Sequence, residues 1–449
     1  MPRPRPRRLR TPTRAKASHK TLIETVVAAF RAPDIRRKLL FTLGILLVFR
    51  ALTNVPVPNV NTAALADLFT NNPLLGILNI FSGGGLAAAS IIGLGVNPYI
   101  NSSIIMQLMR GVIPALEELS REGEYGRNKL NQYTRMLTVP LAFAQGYGIS
   151  VLLSANGVIP ANPLFSIETL SLLLSFTAGT ILLMWLGELI SEKGLGNGIS
   201  FIIFAGIVGS VPLQIGPILS GPDSFTRLIP FIIVSIVVVA AVVFINEGQR
   251  RIPVQYASRV RGRRMYQGQT QYLPLKVTMA GVIPIIFAIS ILLFPAQIAS
   301  YFLNSEIDWV RSVASFISTN LDGQTNIPLY GTLYFLLVVF FTYFYTAFQF
   351  RPDQTADYLR KNGGFIPGIR PGKPTEEFLG RVTNRITLGG ALFLGTIAVL
   401  PFIVSAFIPG TNSLQLGGTS ILIMVSVVVE TMKQLEAQMM MRHYEGFIR

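Results

Sequence analysis

Cysteine is absent from this 449-residue chain, and its two histidines, His19 and His443, both lie near the ends. Without thiols there can be no disulfide framework and no thiolate metal site, and the body of the chain has no imidazole to serve as a general base or metal ligand. Acidic residues are scarce as well, 22 against 38 Lys and Arg. Glu188, Glu192, Glu247 and Glu430 stand at or near the ends of apolar runs rather than inside them, so paired carboxylates for acid–base or metal chemistry are missing there. The expectation is a protein with no catalytic residues, no metal and no cofactor, and not an enzyme.

What the chain has is apolar length. Half of it is hydrophobic, only 13% is charged, and the mean hydropathy is +0.51, which suits lipid rather than water as the surrounding solvent. About twenty apolar residues cross a bilayer as a helix. Ten runs qualify as candidate spans: 39–55, 90–109, 134–154, 169–189, 199–215, 228–244, 277–298, 329–348, 386–407 and 418–434. Of the 38 basic residues, 35 fall in one alternating set of the segments between these runs; the exceptions are Arg50, Arg227 and Arg311. Basic loops stay cytosolic, so both termini are expected in the cytosol, consistent with an even number of spans. The first twenty residues form a Pro- and Arg-rich tail with no apolar core of a cleavable signal. Leu22, Ile23, Val26, Val27 and Phe30 then recur at helical spacing, the pattern of a short helix lying in the headgroup region.

Three stretches do not fit simple spans. Residues 73–81 are apolar but about half the length a crossing needs, and they run into Ser82-Gly83-Gly84-Gly85. Such a segment must dip in and turn back, which is tolerable only inside protein or beside a wet cavity. The alternative is an external loop with an interfacial helix. The second run carries Gly93, Gly95, Asn97, Pro98, Asn101, Ser102 and Ser103, a polar and broken face that fits a cavity wall or a close helix contact better than lipid. The segments 247–276 and 351–385 exceed the roughly 12 to 15 residues of an idle connection and together hold fourteen Lys and Arg. In the second of these, Gly363-Gly364-Phe365-Ile366-Pro367-Gly368-Ile369-Arg370-Pro371-Gly372 alternates rigid and permissive residues around one arginine, which would hold Arg370 at a defined loop tip.

The blocks Gly95-Val96-Asn97-Pro98-Tyr99-Ile100-Asn101-Ser102-Ser103 and Ser191-Glu192-Lys193-Gly194-Leu195-Gly196-Asn197-Gly198-Ile199-Ser200 resemble the SecY family, the channel-forming subunits of bacterial-type protein translocases. The resemblance extends through Arg250-Arg251-Ile252-Pro253-Val254-Gln255-Tyr256, then Leu273-Pro274-Leu275-Lys276 leading to Ala280-Gly281-Val282-Ile283-Pro284, then Gly364 to Gly372, and finally Gly417-Gly418-Thr419-Ser420. It implies an all-α polytopic fold of ten transmembrane helices in two inverted, pseudo-symmetric five-helix halves around a central channel, with a short re-entrant plug helix. The implied organisation is a basic tail and amphipathic helix (1–38), an N-terminal half (39–217) with the plug near 73–85, a C-terminal half (218–437) bearing the cytosolic loops 247–276 and 351–385, and a tail (438–449).

The same resemblance implies the site residues. The constricting ring falls on Val96, Ile100, Ile199, Ile203, Ile286 and Ile423. The spacing of four within the pairs 96/100 and 199/203 permits a shared helix face without requiring it. Branched aliphatic groups offer ions no hydration partners, so such a collar dewets and resists leak. The plug and its hinge correspond to Pro73, Leu74, Leu75, Ile77, Leu78, Ile80 and Phe81 with Gly83, Gly84 and Gly85. A lateral gate corresponds to Asn101, Gln145 and Thr278, held closed by hydrogen bonds among polar side chains. Docking of a motor or ribosome corresponds to Arg259, Arg263, Arg264 and Arg370. The implied partners are SecE- and SecG-type small membrane subunits, a SecA-type motor ATPase that would own any ATP hydrolysis, the ribosome, signal-bearing preproteins and anionic lipids, with no role for DNA. The implied location is the bacterial plasma membrane. The alternative reading is a secondary transporter for a small solute, since inverted repeats and broken helices mark that class too.

Overall fold

The computed structural model describes residues 30–445 apart from 31, 58–59, 62–63, 66–67, 70–78, 80–81, 161–165, 221–223, 257–258, 262–263, 267–269, 282, 304, 306, 322–325 and 408–411. The expected amino-terminal tail, most of the amphipathic helix, the plug residues Pro73, Leu74, Leu75, Ile77, Leu78, Ile80 and Phe81, and Arg263 lie outside the described residues.

Each of the ten apolar runs coincides with at least part of a helix: α1 (Pro33–Leu52), α2 (Asn97–Val112), α4 (Glu124–Ala155), α5 (Ile167–Lys193), α6 (Gly198–Ser220), α7 (Ser224–Glu247), α8 (Ile283–Tyr301), α10 (Ile327–Gln349), α12 (Lys373–Phe407) and α13 (Asn412–Glu445). Three shorter helices, α3 (Pro114–Arg121), α9 (Asp308–Leu321) and α11 (Pro352–Lys361), lie between them. Local chemistry marks several ends. Ser166 Oγ accepts the Thr169 amide at the start of α5, and Asn326 caps α10 ahead of Pro328. Four helical stretches among the described residues, Glu124–Ser154, Ile167–Lys193, Ile327–Lys361 and Lys373–Leu400, are long and apolar enough to cross a bilayer.

The packing inverts that of a water-soluble bundle. Leu47, Ile236, Phe244, Leu336 and Phe340 are exposed, whereas Thr42, Ser102, Thr138, Thr180, Ser210 and Thr342 are buried. Several of these buried hydroxyls donate to their own helix four residues back, as Ser102 does to Pro98 O (2.9 Å) and Thr342 to Val338 O. An apolar outer surface over a partly polar interior suits a lipid surround.

Helices α1, α2, α4, α5 and α6 pack among themselves, as do α7, α8, α10, α12 and α13. The two groups meet where α6 contacts α7 and α13, and where α2 and α4 contact α8. The second run differs from its expected form: helix begins only at Asn97, and residues 91–96 are turns. Gly95 at φ 61° and Pro98 in the first helical turn account for the late start.

The two long basic segments are not separate loops. β1 (Gln249–Tyr256) pairs antiparallel with β4 (Thr270–Lys276), and β5 (Gly364–Phe365) adds to the other edge of β1 through Gln255↔Phe365 and Tyr256↔Gly364. The sheet order is therefore β4-β1-β5, with a separate β2 (Arg259–Arg261) and β3 (Arg264–Tyr266) ribbon within the hairpin connection. Ile252, Val254, Leu275, Leu359, Ile366, Leu379 and Val382 form a core beneath this sheet, distinct from the core of the helical bundle.

Candidate functional site

All six residues of the expected ring belong to the main apolar core of the bundle: Val96, Ile100, Ile203, Ile286 and Ile423 are buried, and Ile199 packs against that core half-buried. Ile100, Ile199, Ile203 and Ile286 line one cavity of about 810 Å³; Ile203, Ile286 and Ile423 line a second of about 400 Å³. Ile203 and Ile286, from opposite packing groups, thus face both spaces. Beside these aliphatic groups the larger space is lined by polar residues, Ser103, Gln107, Asn131 and the Arg135–Glu188 ion pair (2.6 Å), and by apolar ones including Trp185 and Phe287. Ser426, Glu430 and Gln434 line the smaller one, as does Lys276, the last residue of β4. The vestibule therefore lies at the end of the bundle that carries the sheet. Branched aliphatic side chains shared between two chambers of mixed polarity are compatible with a dewetting constriction.

The recognisable 191–200 block builds part of this collar. Asn197 Oδ1 accepts the amides of Ile199 (3.1 Å) and Ser200 (3.3 Å), capping α6, and Ser191 Oγ accepts the Gly198 amide (2.9 Å). A Cβ on Gly198 would stand 1.8 Å from Gly187 O, and one on Gly187 would stand 2.4 Å from Ile199 Cδ1. Only glycine permits that approach, which sets Ile199 and Ile203 where they are.

The three gate residues are all buried, but among the described residues they do not hydrogen-bond to one another. Thr278 Oγ1 donates instead to Asn246 Oδ1 (2.8 Å), and Asn246 Nδ2 donates to Ser426 Oγ (3.3 Å). Lys433 Nζ donates to the Asn246 carbonyl (2.7 Å) and lies 3.1 Å from Glu247. Gln145 Nε2 is buried without a partner. In place of a mutually bonded cluster, Thr278, just ahead of α8, is satisfied by Asn246 on α7, which in turn is bonded to Ser426 on α13. Sequence reasoning missed Asn246, Ser426 and Lys433, since residues this far apart carry no shared local pattern. It also missed two contacts between α2 or α3 and the end of α10. The Arg110 guanidinium lies 5.6 Å from the Phe348 ring centroid, and Arg351 approaches Glu117 to 3.9 Å.

Arg370 is exposed in a loop between Gly368 (φ 82°) and Gly372 (φ 102°), and its carbonyl accepts the Thr375 hydroxyl (2.8 Å). Arg259 and Arg264 belong to the β2–β3 ribbon, where Arg259 is opposite Tyr266 and Arg264 is opposite Arg261. Of the expected hinge, Gly83 (φ 70°) and Gly84 (φ 90°) are left-handed, and Gly85 packs against Ile92. Among the described residues, no three His, Asp or Glu side chains gather as a metal site.

Comparison with known proteins gives one consistent result. The SecY family model matches residues 90–432. The chain is 45% identical over 445 residues to the protein translocase subunit SecY of Streptomyces scabiei, covering 95% of this chain and all of that one. It is 42% identical over 448 residues to the protein of the same description from Mycobacterium tuberculosis, again covering 95% and 100%. Among solved structures it is similar to one described as the structure of a protein conducting channel (TM-score 0.63, 20% identity, 90% and 92% of the two chains covered). It is also similar to Sec61 in a canine ribosome–channel complex (TM-score 0.60, 19% identity, the same coverage). At these identities the structural likenesses bear on fold.

Proposed function

Because the chain belongs to the SecY family and is a channel subunit of the Sec protein translocase, we propose that Val96, Ile100, Ile199, Ile203, Ile286 and Ile423 form the ring through which unfolded preproteins pass. The observation that carries this reading is the sharing of Ile203 and Ile286 between two cavities lined by both polar and apolar residues. The ten helices are read as ten spans in two halves, 39–217 and 218–437, and the two packing groups of helices support that division. Residues 73–81, hinged at Gly83 to Gly85, serve as the plug that closes the outer funnel. The contact of α2 and α4 with α8 is the lateral gate, through which hydrophobic segments leave for the bilayer; Asn101 and Gln145 border it on one side and Thr278 on the other.

This is a membrane protein, and the reading places it in a bacterial plasma membrane with both termini cytosolic. SecE- and SecG-type subunits flank it, and a SecA-type ATPase or a ribosome drives it from the sheet side. The exposed Arg370 loop, with Arg259, Arg263 and Arg264, supplies guanidinium groups suited to motor carboxylates or RNA phosphates.

Vesicles carrying this chain with a SecE-type partner should take up a signal-bearing preprotein when motor and ATP are supplied. Uptake of a small solute without preprotein transport would instead establish the transporter alternative. In the same vesicles Ile286→Ser should raise the resting ion leak, since a hydroxyl hydrates the collar; an unchanged leak would remove Ile286 from the ring.

A further inference from the structure

Arg110 stands half-buried in the last turn of α2. A guanidinium carries five N–H donors, yet among the described residues this one meets no carboxylate and no hydrogen-bond acceptor; it lies over the Phe348 ring instead, 5.6 Å from the centroid. Two more cations, Arg351 and Arg127, act on it electrostatically. Carboxylates do little to offset them. Glu117 holds Arg121 at 2.7 Å and reaches Arg351 only at 3.9 Å, and the exposed Glu118, Glu122 and Glu124 pair with neither Arg110 nor Arg127 among the described residues. Phe348 ends an apolar ladder: Phe340, Phe344 and Phe348 recur every four residues on one face of α10, with successive ring centroids 6.2 Å and 4.8 Å apart. Eight residues of helical rise make the ladder about 12 Å long. It is open to the surroundings, since Phe340 is 55% exposed, Phe344 and Phe348 are half-buried, and Val112, two residues past Arg110, is 80% exposed. The chain runs on from α10 through α11 into β5, so the cation caps the ladder at the sheet end of the bundle.

We propose that this arginine-capped ladder is a binding site for an anionic phospholipid, with the phosphate on Arg110 in the field of Arg351 and Arg127, and one acyl chain along Phe348, Phe344 and Phe340. A phosphate supplies the acceptors that the guanidinium lacks, and a planar fork takes two of its oxygens at once. The excess of cations favours a lipid with net negative charge over a zwitterionic one, and basic recesses between helices at the headgroup level suit such lipids. The ladder selects a lipid over a soluble phosphate, because its exposed rings need an apolar neighbour of matching length. The site joins α2 of one packing group to α10 of the other, so its occupant would hold the two groups together from the lipid side. The inference rests on the reading of α2 and α10 as spans whose sheet-side ends lie at headgroup level.

Because the chain has no cysteine, Val112→Cys gives a single thiol beside the site for a fluorescent label. The full chain, reconstituted with its membrane partners in phosphatidylcholine nanodiscs, is then titrated with phosphatidylglycerol brominated on its acyl chains, or with phosphatidylcholine brominated in the same way. Half-maximal quenching should need about tenfold less of the brominated phosphatidylglycerol, the scale of charged hydrogen bonds. Arg110→Gln should move that curve onto the phosphatidylcholine one, and Arg110→Lys, which keeps the charge but neither the fork nor the stacking on Phe348, should fall between. Arg351→Gln, on a separate element, should weaken the preference in the same direction. Equal quenching by the two lipids, or a preference that survives both Arg110→Gln and Arg351→Gln, overturns the lipid site alone. Quenching by neither lipid shows that the end of α2 does not lie in the bilayer, and the span reading fails and takes the site with it. Cross-linking of a signal-bearing preprotein to the Val112→Cys thiol, with no lipid preference, would assign the ladder to the preprotein and likewise overturn the lipid site.

Discussion

The β4-β1-β5 sheet and the 82–96 segment lie at opposite ends of the helical bundle and are secured in opposite ways. Beneath the sheet is a private core, with Ile252, Val254, Leu275, Leu359, Ile366, Leu379 and Val382 buried against one another. The 82–96 segment has no core of its own. It lends Leu86, Ile92 and Leu94 to the main bundle, takes four left-handed residues (Gly83, Gly84, Ala89 and Gly95), and is tied down by polar bonds to α1. A surface with its own core keeps its shape whatever the bundle does, which suits docking. A segment that borrows the bundle's core must follow the bundle, which suits a moving closure.

The contrast can be broken most forcefully at Leu379, which is fully buried under the sheet. Leu379→Ala should remove about 2–5 kcal/mol from the sheet module, seen as rapid proteolysis in the 257–269 connection while the helical circular dichroism of the bundle is unchanged. Simultaneous loss of the bundle would show that the two cores are one. Ser90→Ala deletes the hydroxyl bond to Leu52 O and should cost about 1 kcal/mol. Hydrogen exchange in 82–96 should rise, with none in the sheet; equal exchange in both would erase the distinction. Arg370→Glu has the smallest expected effect on the fold, within about 0.5 kcal/mol for an exposed loop side chain. It should nevertheless abolish stimulation of motor ATP hydrolysis by preprotein-engaged vesicles, and normal stimulation would remove Arg370 from the docking surface.

The helices were legible because lipid imposes a simple rule on composition: each of the ten runs overlaps a helix in the structure. The interruptions of the second run at Gly95 and Pro98 were legible, though not that helix would begin only at Asn97. The joining of the two basic segments was not, because β1 and β5 are separated by more than a hundred positions and strand pairing over that distance leaves no periodic trace. A local sign did exist in the alternation of Ile252, Val254 and Tyr256 with Arg251, Pro253 and Gln255, a strand pattern set within a helical protein. At the site, the spacing of Val96 with Ile100 and of Ile199 with Ile203 allowed a shared face, and Ile100, Ile199, Ile203 and Ile286 line one cavity in the structure. The bonding of Thr278 was illegible, since its choice of Asn246 depends on how α7, α8 and α13 converge.

The sheet also leads along the chain into the helix that carries Ile286. β4 ends at Lys276, and the next amide, of Val277, donates to Gly248 O at 3.0 Å. On its other side the Val277 carbonyl presses so near Gly390 on α12 that a Cβ there would stand 2.5 Å away. Val277 is thus held on both sides, a few residues before α8 begins at Ile283 and carries Ile286. A displacement of the sheet would therefore bear on α12 through the close approach of Val277 to Gly390, a contact that only glycine permits.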